Sequence, residues 1–141
     1  MTLLRLTRAS DKKVAGILTW FPVHGTSLYR NNTHVAGDNK ALAAWMTEQE
    51  AKNDSAFSDD FIAAYSQANL GDATPNIEGA WCEDGSNKQC DLEHATCADG
   101  TVAKCQGRGP HWTVQDQGAS SCYEIAQRQV KGAKKILVSF K

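Results

Sequence analysis

The sequence predicts an α/β fold: a mixed sheet with flanking helices and a loop stapled by disulfide bonds. Three observations lead to this prediction. Short apolar runs have the composition of strands, two segments carry apolar residues at helical spacing, and four of the five cysteines crowd into one polar loop. With 141 residues, the chain is long enough for one domain at most.

The first two strands are predicted at Thr2 to Leu6 and at Val14 to Phe21. The polar segment from Arg8 to Lys13 between them is short enough for a hairpin connection. The second strand is a nearly continuous apolar run, which is typical of a strand buried on both faces, and Pro22 ends it.

The first helix is predicted from Asn39 to about Glu50, with Asp38 as its N-cap. Its apolar stripe, of which the last two members are expected in the core, contains Ala41, Leu42, Trp45 and Met46. A polar linker from Lys52 to Asp60 follows, and a third strand is predicted from Phe61 to Leu70.

The last helix is predicted to begin at Ser121, which has the spacing of a capping box with Glu124. The residues that then recur at helical spacing are Ile125, Ala126, Gln129, Val130, Ala133, Ile136, Leu137 and Phe140. Cys122 lies at the helix start, where a thiolate would be stabilised, but a buried, unreactive thiol is the preferred interpretation.

The third predicted strand leads into a polar turn, Gly71 to Asn76. Gly71 permits a backbone conformation that a side chain forbids, and Pro75 favours extended backbone at Thr74. Asp72 can accept hydrogen bonds from backbone amides two residues on and so hold the turn. The segment is therefore either a purely structural turn or one that presents the Thr74 hydroxyl beside the Asp72 carboxylate.

Four cysteines follow the turn with the spacing C-x7-C-x6-C-x7-C. Zinc sites use close C-x2-C pairs, so two disulfides are the better interpretation, and spacing alone leaves three pairings open. Disulfides indicate an oxidising, secretory compartment. The N-terminus has no signal-peptide pattern, and we expect a chain that lacks its own beginning to explain this disagreement.

The net charge and the hydropathy of the sequence bear on its partners. The net charge of −1 gives no electrostatic basis for binding nucleic acid or an anionic membrane. No apolar stretch approaches the roughly 18 residues of a membrane span.

His24 follows a buried strand, in a small polar segment where functional groups often lie, although a lone histidine there is more commonly structural.

Taken together, the motifs resemble the neutral/alkaline (non-lysosomal) ceramidase family, in a fungal-like form. The resemblance runs along essentially the whole chain. The stretches that carry it are 1–5 (MTLLR), 16–27 (GILTWFPVHGTS), 37–40 (GDNK), 61–67 (FIAAYSQ), 69–76 (NLGDATPN), 79–85 (GAWCEDG) and 121–125 (SCYEI). Each is weak alone, but their order makes the resemblance specific.

The resemblance implies that residues 1–141 are an incomplete part of a larger catalytic domain. Family members cleave the amide of ceramide to sphingosine and a fatty acid. They hold zinc in a deep apolar pocket with two histidines, a glutamate and a tyrosine. His24 matches the second zinc histidine, and the other ligands are expected before Met1 and after Lys141. One histidine cannot hold zinc usefully, so we expect this segment to be inactive alone.

The resemblance also places Thr74 where the family has a serine, which acts either as a nucleophile or by hydrogen-bonding the substrate while zinc-activated water attacks the amide. Asp72 is a candidate orienting group for this hydroxyl and not an evident base. A threonine keeps the hydroxyl but adds a methyl group and stiffens the side chain. We therefore expect weakened rather than abolished chemistry.

The cysteine pairing implied by the resemblance is Cys82–Cys97 and Cys90–Cys105, which leaves Cys122 free. The resemblance further implies secretion and a possible peripheral contact of the parent enzyme with membranes. In a secreted protein, the sequons at Asn31 and Asn53 would permit glycosylation.

A non-catalytic alternative is a small disulfide-knit module that binds lipid or another partner. In that case the sheet of the isolated chain would have an open edge and an exposed apolar face.

Overall fold

The computed structural model describes residues 1–139 and contains a three-stranded sheet, a two-stranded sheet and two helices within that range. In chain order, the elements are β1 (Thr2–Thr7), β2 (Val14–Trp20), α1 (Asp38–Ala51), β3 (Phe57–Ser66), β4 (Ala80–Cys82), β5 (Cys105–Gly107) and α2 (Ala119–Leu137). The predicted α/β fold with a mixed sheet and flanking helices is confirmed. Phe140, predicted in the last helix, lies outside the described residues.

The larger sheet has the order β1-β2-β3 and mixes both strand directions. β1 and β2 form the predicted antiparallel hairpin, with Thr2 opposite Trp20. β2 and β3 are parallel, with Trp20 opposite Ser66, and α1 forms the crossover between them. Because parallel strands end at the same edge of a sheet, the segments that follow β2 and β3 leave it side by side.

The core lies between one face of this sheet and the two helices. Its buried members are Leu3, Ile17, Ala43, Ala51, Phe61, Ala63, Tyr65, Ala126, Val130 and Ala133. The opposite face is more open: Leu6 and Ile62 are exposed, and Leu18 is half-buried. The prediction that β2 is buried on both faces is therefore wrong for residues 1–139, because no described element covers the second face.

The first helix uses a different face from the predicted one. Trp45 is 56% exposed, so its prediction as a core residue is wrong, whereas Met46 is half-buried against the core. The buried positions instead recur every four residues, at Ala43, Thr47 and Ala51. These side chains are small enough for α1 to approach β3 closely, and the Thr47 hydroxyl lies 2.9 Å from that of Tyr65.

Asp38 is not an N-cap. It is the first residue of α1, after the N-cap position Gly37, and it has a φ of +50°. Within the helix its carboxylate accepts only from the next residue, Asn39, through the backbone N–H at 2.7 Å and the side-chain amide at 2.8 Å. It also accepts from the backbone N–H groups of Ser27 at 3.1 Å and Leu28 at 2.9 Å, so the side chain joins a neighbouring loop to the start of the helix.

The third strand is shifted from its predicted position. It begins at Phe57, inside the predicted polar linker, and ends at Ser66 rather than at Leu70. The start of β3 was not predicted because Asp59 and Asp60 are charged and exposed. The Asp60 carboxylate pairs with Arg8, directly after β1. Strand pairing thus extends a segment whose composition alone indicated a linker.

The last helix begins before its predicted cap. Its N-cap position is Gly118, and the Ser120 N–H donates to the carboxylate of Asp116 at 2.8 Å. The capping box is therefore wrong: the Ser121 hydroxyl accepts a hydrogen bond from the His111 N–H, and Glu124 pairs with Arg128. None of the helices within residues 1–139 is long and apolar enough to span a bilayer.

The residues from Ala80 to Gly107, named here the stapled loop, have almost no apolar core of their own. β4 and β5 pair at its base, and the disulfides Cys82–Cys97 and Cys90–Cys105 cross it. These are the pairs that the resemblance implies. The remaining cysteine, Cys122, is free and buried, and burial raises the pKa of its thiol to about 12, as expected for an unreactive group.

Candidate active-site segment at the strand ends

The structure brings His24 and the Gly71–Asn76 turn together at one edge of the sheet. His24 follows β2 and the turn follows β3, and these two strands run parallel. The His24 backbone N–H donates to the carbonyl of Ala73 at 3.0 Å. Its ring Nε2 lies 3.0 Å from the carbonyl of Gly71, 47 residues away in the sequence. Two segments that the sequence analysis singled out separately therefore form one site.

The ring of His24 has a defined orientation. A carbonyl oxygen can only accept, so Nε2 carries the proton that it donates to Gly71. In the neutral ring, Nδ1 then holds the free electron pair, and it has no hydrogen-bond partner among the described residues. In metal-ligating histidines, the N–H of the second ring nitrogen typically donates a hydrogen bond to a carbonyl or carboxylate in this way. The half-buried ring is thus left with Nδ1 free to accept a hydrogen bond or to bind a cation.

Two side chains hold the backbone that leads to His24. Gln67, directly after β3, donates its amide to the Val23 carbonyl at 2.6 Å and accepts from the Val23 N–H at 3.4 Å. The Lys40 ammonium donates to the carbonyl of Phe21 at 2.6 Å and to that of Ser66 at 3.3 Å. Lys40 thereby joins the C-terminal ends of β2 and β3.

Lys40 is also partly desolvated. Its ammonium lies 5.6 Å from the ring centre of Phe21, and burial lowers the pKa of Lys40 to about 8. Hydrogen bonds to two carbonyls favour the charged form and oppose this shift. The group is therefore a cation at neutral pH that titrates closer to neutrality than an exposed lysine.

Asn39 is the central polar residue of the site and is fully buried. Its side-chain amide donates to the His24 carbonyl and to the Ser27 hydroxyl, each at 2.9 Å. Its oxygen accepts from the side-chain amide of Gln129 on α2, also at 2.9 Å. A single residue thus ties the His24 loop to both helices.

The roles of Asn39, Lys40 and Gln67 were not predicted from the sequence. The sequence did carry one sign of a function here: the polar run Gly37-Asp38-Asn39-Lys40 begins a helix whose later residues have an apolar stripe. Each of these side chains donates to a backbone carbonyl 15 to 44 residues away, and Asn39 also accepts from Gln129, 90 residues away. Only the folded arrangement of α1 against the strand ends reveals them.

The Gly71–Asn76 turn is held differently from the prediction. Gly71 has a φ of +51°, which agrees with its predicted role. Asp72, however, is exposed and forms no hydrogen bond with the described residues, so its carboxylate does not hold the turn. The hydroxyl of Thr74 does so instead, since it accepts from the Asn76 N–H at 3.2 Å. Pro75 between them is fully buried and anchors the turn.

An apolar cavity of about 390 Å³ lies beside Thr74. Its walls come from the loop after β2, from the turn and from α2, and they include Phe21, Val23, Thr74, Ile77, Ile125 and Gln129. Most of the exposed lining is apolar, and Thr74 is among the few polar residues in it.

The described residues do not form a complete zinc site around His24. Within residues 1–139, no set of three histidine, cysteine or carboxylate ligands includes it. The one cluster of ligand types, Cys82, Cys90 and Cys97, consists of disulfide-bonded sulfurs. Of the other histidines, His94 pairs with Asp91 and His111 with Glu124, away from the strand ends. His24 thus fits zinc as one ligand of a larger set.

Comparison with known proteins supports the resemblance. The model of the family described as "Neutral/alkaline non-lysosomal ceramidase, N-terminal" matches residues 1–141. Neutral ceramidase A of Dictyostelium discoideum is 39% identical over 112 residues, which are 78% of this chain and 15% of that protein. Neutral ceramidase B of the same organism is 37% identical over 111 residues, again 78% of this chain and 15% of the relative.

Two solved structures have the same fold over this segment. One, described as a ceramidase complexed with C2, is 25% identical with a TM-score of 0.61 and covers 94% of this chain and 15% of its own. The neutral ceramidase from Pseudomonas aeruginosa is 26% identical with a TM-score of 0.58, over 94% of this chain and 16% of its own. The chain thus spans about 15% of the length of each of these four relatives.

Proposed function

Because this chain belongs to the neutral/alkaline non-lysosomal ceramidase family, we propose that it forms part of the active site of a hydrolase that cleaves the amide bond of ceramide. The products would be sphingosine and a fatty acid. One observation carries the proposal: a histidine arranged as a ligand and a turn with a fixed hydroxyl meet at the same strand edge, beside an apolar cavity.

His24 is proposed as one zinc ligand, through Nδ1. Catalytic zinc needs three protein ligands and an open position, so the remaining ligands must come from residues outside this chain. When bound, zinc would supply activation of water at neutral pH. The contribution of this chain is to fix the ring: Gly71 holds Nε2, and Asn39 holds the backbone carbonyl of His24.

Thr74 is proposed to bind the substrate amide. Its oxygen accepts the Asn76 N–H, so its own O–H remains available to donate to the substrate carbonyl. A nucleophilic role would need an adjacent base. Asp72 makes no hydrogen bond to Thr74, and Nε2 of His24 is engaged by Gly71. The geometry therefore favours a threonine that orients and polarises the amide, and it favours no orienting role for Asp72.

The apolar cavity is proposed to hold part of one hydrocarbon chain of ceramide, which would place the amide at Thr74. Disulfides in the stapled loop are consistent with a secreted protein or the secretory pathway, and a lipid substrate requires at least transient contact of the whole protein with membranes. Secretion and membrane contact remain parts of this proposal.

The test uses the full-length relative Neutral ceramidase A, substituted at the positions equivalent to His24 and Thr74. Alanine in place of the histidine is expected to remove both bound zinc and ceramide turnover. Threonine in place of the family serine is expected to lower turnover by about fivefold to 150-fold, because an added methyl group in a packed site costs about 1–3 kcal/mol and about 1.4 kcal/mol is a factor of ten in rate. Retention of full zinc content in the histidine variant would refute the ligand role.

A second measurement tests the isolated chain. We expect the isolated chain to hold no stoichiometric zinc and to leave ceramide intact.

The alternative function, a lipid-binding module, is favoured by the cavity of about 390 Å³ that this segment forms by itself. Saturable binding of ceramide by the isolated chain, combined with no effect of the histidine substitution in the full-length relative, would support that alternative.

A further inference from the structure

The end of the stapled loop lies against the Thr74 turn. The Glu78 N–H donates to the carbonyl of Arg108 at 3.0 Å, and the Arg108 N–H donates to the carbonyl of Gly79 at 2.9 Å. The Gly79 N–H in turn donates to the carbonyl of Asn76 at 3.0 Å. Backbone hydrogen bonds thus connect the turn directly to the residue that follows β5.

Gly107 brings the stapled loop into contact with the side chain of Asn76. A Cβ atom at Gly107 would lie 2.7 Å from Nδ2 and 3.0 Å from Cβ and Cγ of Asn76. The space that a side chain would need is therefore already filled by Asn76. The backbone N–H of Asn76 donates to the Thr74 hydroxyl. Asn76 therefore contacts both Gly107, through its side chain, and the hydroxyl that is proposed to bind substrate.

The backbone on the loop side of this contact is firmly held. Arg108 is 5% exposed, with its guanidinium 4.8 Å from the ring centre of Trp81 and 3.4 Å from that of Trp112. It donates to Glu83 at 2.9 Å. Two residues before Gly107, Cys105 is crosslinked to Cys90. Gly107 therefore lies between a covalent anchor and a buried cation.

We propose that the stapled loop positions the active-site turn: Gly107 holds Asn76, and Asn76 holds the hydroxyl of Thr74. Asn76 and Gly107 are positioning residues, since they act through Thr74. The inference rests on the proposed function for the part that concerns catalysis. It gives the stapled loop a role beyond the stability of its own fold.

The chain offers a matched control at Gly109. A Cβ at Gly109 would lie 2.7 Å from Oγ and 2.8 Å from Cβ of Ser121, a comparable clash against α2, while the nearest atom of Asn76 is 3.8 Å away. Gly107→Ala and Gly109→Ala are thus the same substitution two residues apart, directed at different neighbours. A third variant, Asn76→Ala, adds no volume and so tests the contact without overpacking.

The first measurement is NMR of the 141-residue chain, with the three-bond couplings and methyl shift of Thr74 reporting its side-chain rotamer. Gly107→Ala and Asn76→Ala are expected to move or average the Thr74 signals, and Gly109→Ala to leave them in place even if it lowers the melting temperature. Equal perturbation of Thr74 by Gly109→Ala, or unchanged Thr74 signals in Asn76→Ala, would overturn the positioning role.

The second measurement is ceramide turnover in full-length Neutral ceramidase A with substitutions at the equivalent positions. The Gly107 equivalent is expected to lose about tenfold or more in kcat with KM little changed, because small misplacements of a reacting group are costly. The Gly109 equivalent is expected to keep its kcat. If the Thr74 signals change in the chain but kcat is unchanged in the relative, the proposed role of Thr74 in catalysis is wrong. If the Thr74 signals do not change, the proposed positioning of Thr74 by Gly107 and Asn76 is wrong.

Discussion

The two halves of the site are held in different ways. The His24 side is fixed by uncrosslinked polar side chains: Asn39, which is buried, Lys40, which is half-buried, and Gln67, which is exposed, each bond to backbone atoms of the loop after β2. The Thr74 side is fixed from the stapled loop, which depends on two disulfides and one buried cation. A polar network thus fixes the half that packs against the helices and the sheet, whereas crosslinks hold the half that has almost no apolar core of its own.

The largest expected effect comes from removing the crosslinks. Each disulfide joins cysteines 15 residues apart, and closing a loop of this length stabilises the folded state by about 3 kcal/mol on the chain-entropy model. We expect reduction to unfold the stapled loop while β1, β2 and β3 remain folded. Hydrogen exchange measured by mass spectrometry, before and after reduction, checks this, since equal loss of protection in the sheet would contradict the division into two halves.

The next effect tests the polar side. Asn39→Ala is expected to lower the free energy of unfolding by about 2–3 kcal/mol, because it leaves the buried amide of Gln129 and the carbonyl of His24 without partners. Urea denaturation provides the measurement. Gln49→Ala on the same helix, which loses only an exposed bond to Lys52, is the control and should change stability by no more than about 0.5 kcal/mol.

A smaller effect concerns pH. Burial lowers the pKa of Lys40 from 10.5 to about 8, so between these values the unfolded chain binds more protons than the folded one. Stability contributed by Lys40 therefore rises with pH through this window and is lost as pH falls through about 8. Urea midpoints at several pH values, compared between the wild type and Lys40→Met, isolate this contribution, and parallel pH profiles would contradict it.

Cys122 opposes Lys40 in the same pH range. Burial raises the pKa of its thiol from 9.0 to about 12, so its contribution is complete below pH 9 and is lost as pH rises towards 12. This opposition is why the Lys40 comparison needs a variant rather than a single pH profile.

The smallest expected effect is the reactivity of the one free cysteine, Cys122. Cys122 is 5% exposed and lies on the uncrosslinked side, on α2. We expect one thiol per chain to react with iodoacetamide only after unfolding, with negligible modification of the native protein at pH 7.5. Peptide mapping checks the position, and rapid labelling of Cys122 in the folded chain would contradict its burial.

Much of the fold follows from local pattern. The β1–β2 hairpin and the apolar face of α2 were predictable because alternation and helical spacing report burial directly. The start of β3 was not, because Asp59 and Asp60 lie at exposed strand positions. Both predicted caps were wrong because Asp38 and Ser121 bond to groups distant in sequence, at Ser27 and His111.

The candidate site divides along the same line. His24 and Thr74 were identified through stretches of sequence that resemble a family, and the structure places them at one edge through the parallel pairing of β2 and β3. Gly107 gave no local signal of its role, and the polar run around Asn39 did not show what that residue contacts. Their importance depends on which residue fills the neighbouring space, and a sequence does not display distances of that kind.

The burial of Arg108 between two indole rings has an optical consequence. The chain has four tryptophans, and two of them, Trp81 and Trp112, lie against this guanidinium in or beside the stapled loop. A cation over an indole face perturbs its electrons, and rigid aromatic packing gives near-ultraviolet circular dichroism. The loop thus carries an intrinsic spectroscopic label, so that its integrity can be followed in unlabelled protein while Trp20 reports from the sheet.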